Sequence, residues 1–167
     1  MMSEKLHSDY IFNSALETGI RSLCILVANL SKSFDLQQLL ALDHIVVHSG
    51  DIENAPTSLH PNILQKSGEL LVRRPLVESG LVLMESKRLV KKIITPNGFY
   101  YKATELACVF IDSLSNEYIQ ELKKRACWAV EMYVDLGEDL FLEVFNSAFE
   151  KWRNEFQLIV TSIKRND

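Results

Sequence analysis

Residues 68–103 restrict the fold of this chain most, because they contain strong helix signals followed directly by a tight turn between two strands. Residues 69–74 have a helical composition, and Pro75 can begin a second helix, since a first-turn position needs no backbone N–H. Val77, Leu81 and Met84 then recur at i, i+4 and i+7, which gives this helix an apolar face that must be buried. The stretch therefore predicts two helices joined by a turn just before Pro75.

A β-hairpin is predicted after the helix pair. Residues 90–95 are rich in β-branched side chains, residues 96–98 (Pro-Asn-Gly) supply a turn that tolerates positive φ, and residues 99–103 return as a strand. Two helices followed by a two-stranded hairpin are the order of a winged helix-turn-helix.

Helical periodicity is also present on the N-terminal side of this stretch. Asn13 or Ser14 can cap a first helix, and Ser33 or Asp35 can cap a second one that has only a narrow polar strip. Residues 49–61 are rich in turn formers, which is typical of a surface loop packed over a domain.

Three more helices are predicted on the C-terminal side. Thr104 opens a short helix, Ser115 caps the next helix, and Gly137 can end it in a left-handed conformation. A last helix carries a stripe rich in aromatic side chains. The fold class is therefore mainly α with a small β-hairpin, in one domain over residues 1–167. Residues 13–103 form a winged helix-turn-helix core, and residues 104–167 extend it with a C-terminal helical hairpin.

The length of 167 residues suffices for one core without disulfides or metal. No stretch approaches the ~20 uninterrupted apolar residues that span a bilayer, and the N-terminus lacks the features of a secretory signal. Cys24, Cys108 and Cys127 are odd in number and lie in apolar helical segments, as reduced core thiols do. We expect a soluble protein of the cytoplasm.

The net charge of −4 hides a basic centre between acidic ends. Residues 61–103 contain eight basic and three acidic side chains, whereas residues 1–60 contain three and seven, and residues 104–167 contain seven and twelve. Such a centre can meet nucleic-acid phosphate or an acidic protein surface, and the sequence does not separate the two.

The helix that would enter a major groove exposes the wrong residue types for reading bases. Opposite its apolar stripe lie Glu78, Ser79, Val82, Glu85 and Ser86, whereas base edges are usually read by Arg, Asn or Gln. Sequence-specific recognition is therefore disfavoured. The basic side chains around the helix ends and the hairpin are candidates for nonspecific contacts with a nucleic-acid backbone. These are Arg73, Arg74, Lys87, Arg88, Lys91, Lys92 and Lys102.

His44 and His48 lie four residues apart on one helix face, with Asp51 and His60 nearby in sequence. This spacing can hold a metal, but the glutamate that a zincin needs directly after the first histidine is replaced by Ile45. The favoured interpretation is that both histidines end their helix near its negative pole. No phosphate-binding glycine loop or nucleophile motif is present, so we assign no catalytic residue, no cofactor and no metal site.

The last helix is apolar over a wider arc than packing against one neighbour requires. Four side chains lie off its aromatic stripe and are candidates for docking a partner or a second copy. These are Leu140, Leu142, Val144 and Leu158.

Five strings occur in order along most of the chain: NSALETGIRSL, LALDHIVVHSGD, SLHP, GELLVRRPLVESGL and YKATE. Together they resemble the small middle component of bacterial ABC-three-component conflict systems, the group that includes Lamassu-like anti-phage defence. The resemblance implies a winged-helix adaptor, with no activity of its own, between an SMC/Rad50-like ABC ATPase and an effector that is often a nuclease. It transfers no residue-level site.

The sequence thus favours a non-catalytic adaptor in an anti-phage defence complex. It does not decide whether this adaptor also contacts DNA nonspecifically or forms homo-oligomers. The alternative is a winged-helix DNA-binding transcription regulator, which would depend on exposed residues such as Ser79 and Ser86. A third hypothesis is a small metalloenzyme built on His44, His48, Asp51 and His60.

Overall fold

A computed structural model describes residues 14–60 and 66–147, with the backbone alone described for residues 66–72. In chain order its helices and strands are α1 (Ala15–Ala28), β1 (Phe34–Asp35), α2 (Leu36–Val47), a 3-10 turn (Ser49–Asp51), α3 (Lys66–Ser86), β2 (Val90–Thr95), β3 (Gly98–Ala103), α4 (Glu105–Ser113), α5 (Glu117–Leu136) and α6 (138–147). The predicted fold class, mainly α with a small hairpin, is confirmed. No helix among these residues is long and apolar enough to cross a membrane.

Local hydrogen bonds fix the predicted helix starts. The Ser14 hydroxyl accepts from the Glu17 amide at 3.2 Å, and Asp35 forms a capping box with Gln38, both bonds being 2.8 Å. The prediction that Ser115 caps α5 is wrong, because Asn116 takes that position and accepts from the Ile119 amide at 2.8 Å.

The sheet has three antiparallel strands in the order β1-β3-β2. The predicted hairpin is present, with Ile94 opposite Phe99 beside the turn. The short strand β1, which the sequence did not predict, pairs Phe34 with Tyr101 and joins the N-terminal helices to the hairpin. The chain from α1 to β3 therefore has the order helix, strand, helix, helix, strand, strand.

The prediction of two helices separated before Pro75 is wrong, because α3 is one continuous helix of 21 residues with Pro75 inside it. Proline removes one intrahelical hydrogen bond. Here Pro75 is exposed, so its ring meets no neighbouring element on that side. The predicted faces of α3 are nevertheless confirmed: Val77, Leu81 and Met84 are buried, and the five side chains predicted opposite them are exposed.

The loop after α2 packs over the end of that helix. The amides of Leu59 and His60 both donate to the Val47 carbonyl at 3.1 Å, so the chain after α2 folds back over the end of that helix. Arg125 of α5 reaches the same loop and donates from Nε to the Thr57 carbonyl at 2.9 Å. This agrees with the predicted packed loop within its described residues.

The three cysteines are not all core thiols. Cys24 is buried, as predicted, and burial raises the pKa of its thiol to about 12. Cys108 is half-buried and Cys127 is exposed, because α5 is amphipathic and Cys127 lies on its outer side.

Candidate interaction surfaces

A buried cluster of charges connects the first three helices. Asp43 of α2 is fully buried and accepts from Nε of Arg21 in α1 at 2.8 Å and from Nη1 of Arg73 in α3. Arg73 is only 3% exposed, so its predicted contact with a nucleic-acid backbone is wrong. Its guanidinium instead provides a second counter-charge for the buried carboxylate of Asp43, beside that of Arg21.

The electrostatics of this cluster are those of a structural ion pair. Burial alone would raise the pKa of Asp43, but the charges and hydrogen bonds of Arg21 and Arg73 outweigh it and hold this pKa well below its usual range. Asp43 therefore stays ionised, and it holds α1, α2 and α3 in one arrangement.

The predicted histidine set lies at the end of α2, with His44 in the last turn and His48 at the C-cap. The His44 and His48 rings are 4.9 Å apart, His44 Nε2 is 4.0 Å from a carboxylate oxygen of Asp51, and His60 Nε2 lies 2.9 Å from the Tyr118 hydroxyl. Across residues 14–60 and 66–147, no group of three or more His, Cys, Asp or Glu side chains is arranged to hold a metal ion. Burial, reinforced by the charge of Arg21, lowers the pKa of His60 to about 3, which keeps it neutral.

The outer side of α3 and the adjoining face of the hairpin form one surface, which we call the wing face. It consists of Glu78, Val82, Glu85, Lys92, Ile94 and Phe99. The two parts adjoin at Tyr101, whose pKa is raised by burial and then by the nearby charges of Glu85 and Glu78. Tyr101 points to the same side of the hairpin as Phe99, because residues two apart on a strand share a face.

Large apolar side chains remain exposed on the wing face. Val82 is 65%, Ile94 is 76% and Phe99 is 52% exposed. The ammonium of Lys92 lies 4.2 Å from the centre of the Phe99 ring, a cation–π contact. The wing face therefore combines apolar anchors with carboxylates on α3 and an ammonium on the hairpin.

The remaining predicted phosphate-contact residues lie in the middle of α3 (Arg74), just after its end and on the hairpin. Arg74, Lys87, Arg88, Lys91 and Lys92 are exposed and Lys102 is half-buried. Arg74 lies 3.5 Å from Glu78 one helical turn away, so part of its charge is already offset.

A groove of about 490 Å³ lies between the start of α1, the end of α3 and α4, and we call it the α4 groove. Its lining is Leu16, Leu83, Met84, Lys87, Leu89, Leu106, Val109, Phe110 and Ser113. Leu106 is 53% and Val109 is 67% exposed, because α4 buries Ala107 and Ile111 on its other side. Apolar residues lie on both sides of α4 in the sequence, so their spacing alone does not say which side this short helix buries.

A second groove, of about 500 Å³, lies between α6 and the loop after α2, and we call it the α6 groove. Its lining is Asp51, Ile52, Glu53, Leu136, Leu140, Glu143, Val144 and Ser147. The predicted docking residues Leu140 and Val144 are thus brought together, whereas Leu142 packs against the core. Leu158 lies outside the described residues.

A family model matches most of the chain. The family model of the ABC-three component (ABC-3C) system Middle Component 2, abbreviated MC2, covers residues 11–155. The chain therefore belongs to this family, and the resemblance drawn from its five strings is confirmed. No curated protein and no solved structure gives a significant match.

Proposed function

We propose that this middle component is a non-catalytic, cytoplasmic adaptor that links an SMC/Rad50-like ABC ATPase to an effector such as a nuclease. On this proposal it acts in a bacterial anti-phage defence complex of the Lamassu-like group. Membership of a middle-component family supports the presence of protein partners. The identity of those partners rests on the family resemblance.

We also propose that residues 14–103 form a winged helix. The helix pair is then α2 and α3, and not two halves of α3 as the sequence suggested. The three-stranded order β1-β3-β2 supports this, because β1 connects α1 to α2 and pairs with the hairpin that follows α3.

The observation that carries the adaptor proposal is the chemistry of the wing face. A helix that reads DNA usually offers Arg, Lys, Asn or Gln, whereas α3 presents Glu78 and Glu85 on either side of an exposed Val82. Two carboxylates oppose entry into a groove lined with phosphates. Exposed apolar and aromatic side chains are instead typical of anchors at a protein interface.

An adaptor also needs a surface for its second partner, and the α4 groove supports one. Seven of its nine lining residues are apolar, and its rim residues Leu16, Leu106 and Val109 are exposed. Apolar grooves of this kind accept the apolar side of a partner helix. We assign the α4 groove to one of the two partner proteins.

Co-purification with the ABC ATPase and the effector encoded beside the chain tests this function. We expect all three proteins to purify together, and we expect the double substitution Leu106→Asp and Val109→Asp to release one partner while circular dichroism shows a folded chain. Val134→Asp is the matched control, because Val134 is 44% exposed and lines neither groove. If the ATPase and effector assemble fully without the chain, it is not the adaptor.

The second candidate function is a DNA-binding transcription regulator, favoured by the exposed cations on and beside the hairpin. A regulator binds one operator tightly at physiological salt and loses that binding when Ser79 or Ser86 changes. An adaptor does neither.

A further inference from the structure

We propose that copies of this chain associate head to tail, with the hairpin of one copy inserted into the α6 groove of the next. The occupant of the groove is thus the segment around Ile94 and Phe99 of a second copy. This goes beyond the adaptor function. It gives the hairpin end of the wing face, Ile94 and Phe99, to a second copy, and it leaves the α3 end, Glu78, Val82 and Glu85, to a partner protein.

The α6 groove has an apolar floor and an acidic rim. Leu136, Leu140 and Val144 supply apolar surface from α5 and α6, and Leu140 is half exposed. Asp51, Glu53 and Glu143 add carboxylates to the lining, and none of the described residues that line it is Lys, Arg or His. Such a groove fits a segment that is both apolar and basic.

The hairpin has this complementary chemistry. Ile94 and Phe99 pair directly across the two strands beside the turn, so both apolar side chains project together. Lys92 covers the Phe99 ring, and Lys91 pairs with Lys102 on the opposite side of the hairpin. An inserted hairpin would bring Ile94 and Phe99 against Leu140 and Val144 while its ammonium groups face the carboxylate rim.

The contact must be intermolecular. β3 pairs with both β2 and β1, so the hairpin is fixed in the sheet of its own copy. In that arrangement Ile94 and Phe99 stay largely exposed, and neither lines the α6 groove of the same chain. Each copy therefore has a hairpin that can enter a neighbouring copy and a groove that can accept the hairpin of another.

An interface between two different surfaces is heterologous, so it produces open chains or closed rings and not only pairs. An aromatic side chain entering an apolar groove is the usual energetic centre of such a contact. The surrounding ammonium and carboxylate groups set orientation and make the association sensitive to salt.

Sedimentation velocity on the purified chain over a concentration series tests the proposal. We expect the unaltered chain to form species larger than a monomer. A hairpin variant, Ile94→Asp with Phe99→Asp, and a groove variant, Leu140→Asp with Val144→Asp, should each weaken self-association by at least about 30-fold, the effect of losing an interface hot spot. Val134→Asp should associate as the unaltered chain does.

The decisive measurement is the mixture of the two variants. The groove variant retains an intact hairpin and the hairpin variant retains an intact groove, so the mixture should form a 1:1 dimer that cannot grow. A chain that stays monomeric at every concentration, or a mixture that stays monomeric, would overturn the proposal. So would a monomeric chain whose groove variant loses the ATPase or the effector, because the groove would then belong to that partner.

Charge variants keep the test decisive if the apolar substitutions unfold the chain. Glu53 and Glu143 are exposed, so Glu53→Lys with Glu143→Lys leaves the core untouched. These changes should prevent self-association. Mixing this variant with copies that carry Lys91→Glu and Lys92→Glu should restore growth into alternating chains or rings, because the native hairpin still matches the native groove and the two charge-reversed surfaces match each other. Self-association unaffected by both charge reversals would contradict the proposed contact.

Discussion

Gly80 and Gly19 meet backbone to backbone where α3 crosses α1. A Cβ atom on Gly80 would lie 2.6 Å from the amide nitrogen of Gly19 and 3.1 Å from the carbonyl oxygen of Ala15. A Cβ atom on Gly19 would lie 2.6 Å from Cε of Met84, the far end of a flexible side chain, and 3.0 Å from the carbonyl oxygen of Gly80. The shortest contact is therefore with the backbone for a methyl group on Gly80 and with a side chain for one on Gly19.

We expect Gly80→Ala to destabilise the chain by about 3 kcal/mol, because α1 or α3 must move to admit the methyl group. Gly19→Ala should cost only about 1 kcal/mol, since the Met84 side chain can rotate and alanine favours a helix. Urea unfolding of both variants measures the difference. Equal losses would contradict the close backbone contact at Gly80.

The second prediction concerns Asp43. Asp43→Asn should lower the free energy of unfolding by about 3–5 kcal/mol, because it leaves Arg21 and Arg73 buried without a counter-charge. Arg73→Met should cost less, since the Arg21–Asp43 pair remains. The lowered pKa of Asp43 means that its stabilisation is complete above its ordinary pKa of about 3.9 and is lost as pH falls below it. Urea unfolding of the three proteins at neutral pH tests the order.

Much of the local structure could be predicted, because its causes lie within a few residues. The buried and exposed sides of α3 follow from the spacing of Val77, Leu81 and Met84, and the hairpin follows from its turn residues. The helix starts at Ser14 and Asp35 follow from side chains that bond to amides three residues later. Leu140 and Val144, which were predicted to dock a partner, line one groove, and their selection followed from surplus apolar surface on one helix.

The long-range features could not be predicted, because they depend on residues distant in sequence. Nothing near Arg73 shows that its partner is Asp43, 30 residues away, so it resembled the other cations of the basic centre. Strand β1 has two residues, too few for a periodic pattern, and forms because Phe34 pairs with Tyr101. Pro75 can begin a helix by its local geometry, but here it lies inside α3, between the buried residues Arg73 and Val77.

The third prediction separates the cysteines by accessibility. Cys127 is exposed and should react with Ellman's reagent in the native protein, whereas Cys24 should react only after unfolding. Burial also raises the pKa of Cys24 to about 12, so very little thiolate is available at neutral pH. Cys127→Ser should remove the fast phase. A native protein in which Cys24 reacts first would contradict this assignment.

The fourth prediction is a pH dependence that His60 causes. Its pKa is lowered to about 3 in the fold, against about 6.5 in the unfolded chain, so the unfolded state binds more protons between these values. Stability should therefore fall as pH decreases below about 6.5, with a slope approaching 1.4 kcal/mol per pH unit from this one group. Urea unfolding from about pH 7 to about pH 4.5 measures it, above the range in which Asp43 contributes.

His60→Gln is the control for that slope. Glutamine can still form a hydrogen bond with the Tyr118 hydroxyl but does not titrate. In this variant the free energy of unfolding should therefore fall less steeply with decreasing pH, by the amount that one proton contributes. If the slope is unchanged in His60→Gln, the acid sensitivity comes from another group.

The last prediction asks what the exposed cations do when DNA is offered. Lys91, Lys92 and their neighbours should give weak, nonspecific duplex binding that falls steeply with salt, because each neutralised phosphate releases counterions. The carboxylates of Glu78 and Glu85 oppose that binding. Glu78→Gln with Glu85→Gln should therefore raise the affinity for any duplex, and Lys91→Ala with Lys92→Ala should lower it, as measured by fluorescence anisotropy at low salt. A regulator would respond differently. Its affinity for one operator would stay high at physiological salt, and neutralising the two carboxylates would not raise its affinity equally for unrelated sequences.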